Sequence, residues 1–485
     1  MSQAPSGPAF VAGSWRDRSA RVFLHCGKFY RALTAAAARD WSQISATEFF
    51  RQATATGEIV QTHPAPELHP LVHSAGYTAV LAHQRVDAIS WPWEWSFSML
   101  QTAALLQLNL MARALRENCI LSDATPFNFQ FAGVRPLLID TGSLVVLRPG
   151  QTWEGYRQFC QQFLYPLLLQ AWKGVDFQPW LRGRMEGIPA EQFAALLSAR
   201  DLLRKGALSH VWLHARLARH GQSMAIADSL SSAGFHKDLI LTNVTGLQRL
   251  IQKLRWNRQQ STWSHYVQQA AHVTVDQPVK SEFVRAVCQQ QTPRTVWDLG
   301  CNLGHYSRIA AETSQVLAMD ADHLTIDHLY RQLQAEPAGS PAANRITPLV
   351  MNIADPSPSL GWRHEERVCL EQRSQPDLVF CLALIHHLVI GNNLRLNDVL
   401  DWLRSLNAVI ILEWVDRRDP MVIQLLRNRR DVFYDYEEDR FLSALQGRFR
   451  ILRTSQLPSE TRRLYLLAPA SSSAMETTGA TALRS

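Results

Sequence analysis

The chain has 485 residues, 46% of them hydrophobic and 19% charged, with a formal net charge of +7. That length exceeds what one hydrophobic core usually holds, so two or more domains are expected, and 15 Trp exclude disorder over most of the chain. The Arg surplus is dispersed rather than gathered into blocks, which sets nucleic-acid binding aside, and 7 scattered cysteines without a CxxC pair offer neither a disulfide framework nor a zinc site.

The first residues, MSQAPSGPAFVAGSW, lack the continuous apolar core of a secretory signal. The most apolar window, FSMLQTAALLQLNLMA, is short and carries Gln, Asn, Ser and Thr, so no membrane span is expected and a cytoplasmic protein is. Residues 15–264 form the first expected region. RVFLHCGKFYRAL reads as strand, ATEFFRQATATG as helix and YTAVLAHQRVDAIS as a hairpin. From Ser96 onward helical periodicity dominates, and Leu100, Ala104, Leu108, Met111 and Leu115 define one buried stripe.

Within that region LSDATPFNFQFAGVRPLLIDTGSL places Asp123 and Asn128 five residues apart, with Asp140-Thr-Gly twelve residues further on. This is the spacing of a kinase catalytic loop followed by its metal-binding Asp, so Asn128 and Asp140 are the candidate magnesium ligands if the region is active. No glycine-rich phosphate loop precedes it and no clear strand lysine is present, Arg31 and Glu94 being loose stand-ins. The region therefore resembles a kinase-like, helix-rich α+β lobe with a degenerate nucleotide half; the plainer alternative is a hairpin with a turn rich in Asp, Pro and Asn.

From residue 280 to 469 strands and helices alternate, the pattern of a parallel sheet with crossover helices, and residues 470–485 read as a frayed tail. TVWDLGCNLGHYS is a strand, a glycine turn and a helix start, and VLAMDAD is the next strand, with Asp320 twenty residues beyond Gly300. An acid at that distance accepts hydrogen bonds from ribose hydroxyls. Asp298-x-Gly300-x-x-x-Gly304 lacks the GxGxxG that hugs a pyrophosphate, and an acid ahead of the first glycine suits an ammonium better than a diphosphate. That points to S-adenosylmethionine, with Asp298, Gly300, Cys301, Asn302, Gly304 and Asp320 as the binding segment.

The same stretch resembles the class I methyltransferases, and DLGCNLGHYS, ADPSPSLGW, LALIHHL, ILEWVDRRDP and RRLYLL are similar in wording to the NoeA-type nodulation-protein methyltransferases. The resemblance implies a Rossmann-like α/β sheet of seven strands whose last two are antiparallel, with VMNIADPSP as third strand and adenine-side loop and Asp355 near the adenine amino group. It implies methyl transfer from S-adenosylmethionine; no motif names the acceptor, for which a small molecule or glycan-type hydroxyl is the expectation. The acceptor's proton would go to His386 or His387 after the fourth strand, DLVFCLALIHHL; Glu413, ending the fifth, orients that histidine, binds acceptor, or simply pairs with Arg417 or Arg418. Two other functions fit the sequence: a bifunctional phosphotransferase and methyltransferase, and a non-catalytic nucleoside-binding scaffold.

Overall fold

The computed structural model describes residues 8–212, 214, 216, 237–257, 271–337, 339–427 and 430–470. The expected boundary at residue 264 and the expected tail beyond Ala470 lie outside them. The chain forms two compact units, Met1–Gln259 with Ser357–Cys369, and Gln260–Pro356 with Leu370–Ser485.

In the first unit β1 (Ala9–Phe10), β2 (Ala20–His25), β3 (Lys28–Leu33), β4 (Thr62–Pro64) and β5 (Ala79–His83) make one antiparallel sheet in the order β1-β2-β3-β5-β4. Strands β2 and β3 join through Cys26 and Gly27, both at positive φ, as a tight hairpin turn demands. The hairpin expected over Tyr77–Ser90 does not form: β5 stands alone between β3 and β4. Gln130 takes the backbone of Ser90 instead, accepting from its N–H at 2.7 Å and donating to its carbonyl at 3.0 Å, so that end of the segment has no ladder to join.

The helix Phe97–Arg116 starts on Ser96, whose hydroxyl accepts from the Met99 amide. Its predicted stripe is buried, but so are Met99, Ala103, Leu106 and Leu110 on other faces. The helices Lys237–Lys253 and Glu48–Ala55 and the strands β6 (Cys119–Leu121) and β8 (Arg135–Leu138) pack around it, so a one-sided periodicity understated its burial. Strand β7 (Phe129–Ala132) pairs with β8, and β9 (Leu144–Val146) returns to β6. The segment Ser357–Cys369 also belongs to this unit. Trp93 Nε1 donates to Ser357 Oγ and Trp91 Nε1 to the Val368 carbonyl, each at 3.0 Å, and Glu366 accepts twice from Arg16, at 2.7 and 3.1 Å.

The second unit is a seven-stranded sheet of β10 (Thr295–Leu299), β11 (Gln315–Asp320), β12 (Ile346–Val350), β13 (Leu378–Cys381), β14 (Val409–Val415), β15 (Phe449–Gln456) and β16 (Arg462–Pro469), in the order β12-β11-β10-β13-β14-β16-β15. The first five are parallel and the last two antiparallel. The parallel strands are near-continuous apolar runs, as sheets covered on both faces require. Strand order reverses between β10 and β13, which opens a crevice at the carboxyl ends of those strands.

Candidate active site

The crevice is walled by the turn after β10. Gly300 and Cys301 donate their amides to the Met319 carbonyl at 2.8 and 3.0 Å, tying the turn to the end of β11. Gly300, Asn302 and Gly304 all have positive φ. A Cβ on Gly304 would lie 2.8 Å from Leu329, so packing as well as backbone favours glycine there, whereas one on Gly300 would meet Leu384 at an ordinary 3.4 Å and that glycine is favoured by its positive φ.

Two carboxylates meet this turn. Asp298, 2% exposed, accepts from the Ser307 hydroxyl at 2.5 Å, and burial pushes its carboxyl up to about 7, the nearby Asp320 adding to the rise. Asp320 accepts from the Asn302 amide at 3.0 Å and the Asp322 amide at 2.9 Å; burial raises its pKa against the pull of those amides. The Cys301 thiol is buried and pushed well up, first by burial and then by Asp320 and Asp298, so it is no nucleophile. Asp355 is exposed in the turn after β12, where its amide donates to the Asn352 carbonyl at 3.0 Å.

The loop after β13 forms the other wall. Leu384 packs at Gly300. His386 is completely buried, and neither ring nitrogen has a hydrogen-bond partner. Burial, then His387, Arg462 and Lys280, hold its pKa well below the ordinary value. His387 is only partly buried, its ring centroid 4.1 Å from that of His386, and burial and Arg462 lower its pKa to about 4. Both shifts favour the neutral imidazole.

Glu413 is wholly buried, and its partners are neither Arg417, which pairs with Asp431 and Glu437, nor Arg418, which pairs with Asp416. Lys280 Nζ reaches its two oxygens at 2.7 and 2.8 Å and Arg462 lies at 3.3 Å. Sequence reasoning did not single out Lys280 or Arg462. A signal for the second existed: Arg462, Leu464 and Leu466 alternate on the buried face of β16, so the arginine continues an apolar row.

In the first unit Asp123, Asn128 and Asp140 follow the turns between β6 and β9. Asp140 is held by Arg31 of β3 at 2.6 Å, with Asp17 3.8 Å from the same guanidinium. Burial and then Asp140, Asp17 and Glu154 raise the pKa of Asp123. Asn128 Nδ2 is buried without a hydrogen-bond partner. Among the described residues no group of three or more His, Cys, Asp and Glu is arranged to hold a metal ion.

A five-strand parallel sheet with an antiparallel closing pair, a glycine turn after its first strand and an acid ending its second defines a class I methyltransferase-type fold. No protein-family profile matches the chain. It is 34% identical over 465 residues to nodulation protein NoeA of Rhizobium meliloti (strain 1021), covering 94% of this chain and 96% of that protein. The chain belongs to the NoeA family. Among solved structures it is similar to magnesium protoporphyrin IX methyltransferase of Synechocystis PCC 6803 with bound SAH, at 18% identity and TM-score 0.30, over 47% of this chain and 94% of that one. It is also similar to the N-methyltransferase NodS of Bradyrhizobium japonicum WM9 in complex with S-adenosyl-L-homocysteine, at 9% identity and TM-score 0.29, over 40% and 87%.

Proposed function

We propose that the second unit is an S-adenosylmethionine-dependent methyltransferase whose donor site is the Asp298–Gly304 turn with Asp320. The observation that carries this reading is the pairing of Asp320 with the Asn302 amide beside the buried Asp298 at the strand-order reversal. The group fits these residues: each Asp320 oxygen spends one lone pair on an amide and keeps another for a ribose hydroxyl, and Asp298 gains from an arriving ammonium. Cys301 and Asn302 contribute backbone, and Asp355 lies on the adenine side. S-adenosylmethionine supplies an already electrophilic methyl group. The chain has only to align an acceptor, exclude water and accept a proton.

We assign the proton to His387, the less buried of the pair, with His386 supporting its ring and Glu413 acting at one remove. The acceptor is a small molecule or glycan-type hydroxyl. Among the described residues no helix is long and apolar enough to cross a membrane, and the seven unpaired cysteines suit the reducing cytoplasm. Titration calorimetry with S-adenosylmethionine and its demethylated product is the test. Asp320→Ala should weaken binding by about 1–3 kcal/mol. Wild-type protein that binds neither compound would defeat the reading.

A second reading concerns the first unit, which we take as a kinase-like lobe without phosphotransfer. The Arg31–Asp140 ion pair favours it: a strand arginine sits on the acid that would otherwise hold magnesium. Gly142 is part of the same arrangement, since a Cβ there would lie 2.9 Å from the Arg31 guanidinium. A working phosphotransferase would have to displace that guanidinium before a metal could enter.

A further inference from the structure

The loop after β13 begins on an unfavourable residue. Ala383 has φ 48°, in the left-handed region that a residue with a Cβ rarely occupies. Strand β13 makes its last ladder pair at Cys381 with Leu412, so the amide of Ala383 lies beyond the sheet and needs another acceptor. The next residue of β14 supplies it: Glu413 Oε2 accepts from Ala383 N at 3.0 Å. Buried carboxylates need compensation, and Lys280 and Arg462 provide it here. Asp419 fixes Arg462 in turn through two hydrogen bonds at 2.7 and 3.1 Å, leaving two cations against two carboxylates.

We propose that Glu413 is a positioning residue: with Lys280 and Arg462 it clamps the left-handed turn at Ala383, and so sets Leu384 against Gly300 and His387 at the mouth of the crevice. The loop's own hydrogen bonds carry the constraint forward, because the amides of His387 and Leu388 both donate to the Leu384 carbonyl, at 2.9 and 3.1 Å. Fixing Ala383 therefore fixes the start of the turn on which the histidines ride. That this loop faces an acceptor rests on the methyltransferase reading. The clamp itself does not.

The test is hydrogen exchange of the full chain, with affinity for S-adenosylhomocysteine as second readout. Glu413→Leu combined with Lys280→Met removes the acceptor of the Ala383 amide and both charges of the pair, leaving Arg462 with Asp419. Exchange across residues 382–390 should quicken about tenfold or more while β10 and β11 keep their protection. Affinity for S-adenosylhomocysteine should fall, because Leu384 is no longer held at Gly300. Adding Ala383→Gly, which makes the left-handed conformation free of Cβ strain, should restore a good part of both. A network that serves only general stability would give no such rescue.

Unchanged exchange at 382–390 in the double variant, or no recovery on adding Ala383→Gly, overturns the proposal. If the double variant does not fold, Glu413→Gln with Lys280→Met, which keeps only a weaker neutral acceptor and strands no charge, is judged by the same two criteria with and without Ala383→Gly. Wild-type protein that fails to bind S-adenosylhomocysteine would count against the methyltransferase reading, while the exchange measurement would still decide the clamp.

Discussion

Asp298 should make stability depend on pH and, at the proposed donor site, binding as well. Its pKa rises from 3.8 to about 7 on folding, so between those values the folded chain keeps a proton that the unfolded chain releases. Stability contributed by this group is therefore present at low pH and is lost as pH climbs towards 7. An ammonium beside Asp298 reverses the preference, so donor binding below pH 7 should expel a proton and tighten as pH approaches 7. Calorimetry in buffers of different ionisation enthalpy measures that proton, and Asp298→Asn should abolish it. Gly304 gives a second expectation: Gly304→Ala brings a Cβ to 2.8 Å from Leu329 at a left-handed backbone, and should cost about 1–3 kcal/mol in denaturant unfolding.

A buried carboxylate anchors the turn ahead of the helix Phe97–Arg116. Glu94 is fully buried, accepts from the Trp91 amide at 2.7 Å and also takes the Ser357 hydroxyl. Glu94→Ala strands those donors and should lower stability by about 1–3 kcal/mol, read from the shift in denaturation midpoint. Glu94 also shows where sequence reading stopped. The sequence offers it only as a loose stand-in within the kinase-like region, yet its partner lies 263 positions away and no local pattern could name it. The strands β10 to β16 were legible because apolar runs and glycine turns are local signals. The place of Asp320 at the end of β11 was legible too, since a strand and a short helix fix its distance from Gly300. Lys280 was not, because its partner Glu413 meets it only through the sheet. The partner assigned to Glu413 went astray for the same reason: Arg417 and Arg418 are close in sequence, but Lys280 and Arg462 are close in space.

At the scale of the whole molecule, the first unit's charge arrangement can be probed without knowing its ligand. With Arg31 on Asp140, ATP and magnesium should leave the melting temperature unchanged, whereas a ligand at a hundred times its dissociation constant would stabilise by about 2.7 kcal/mol. A magnesium-dependent rise that disappears in Asp140→Ala would promote the bifunctional enzyme over the silent lobe. The segment Ser357–Cys369 bears on how the chain can be divided. It is encoded within one unit and folds with the other, so no single cut yields two whole pieces. A fragment stopping at residue 257 leaves the indoles of Trp91 and Trp93 without their acceptors, and one starting at residue 271 carries a loop stripped of its bed. A cut at either border would damage both pieces, so each unit depends on being made in one chain with the other.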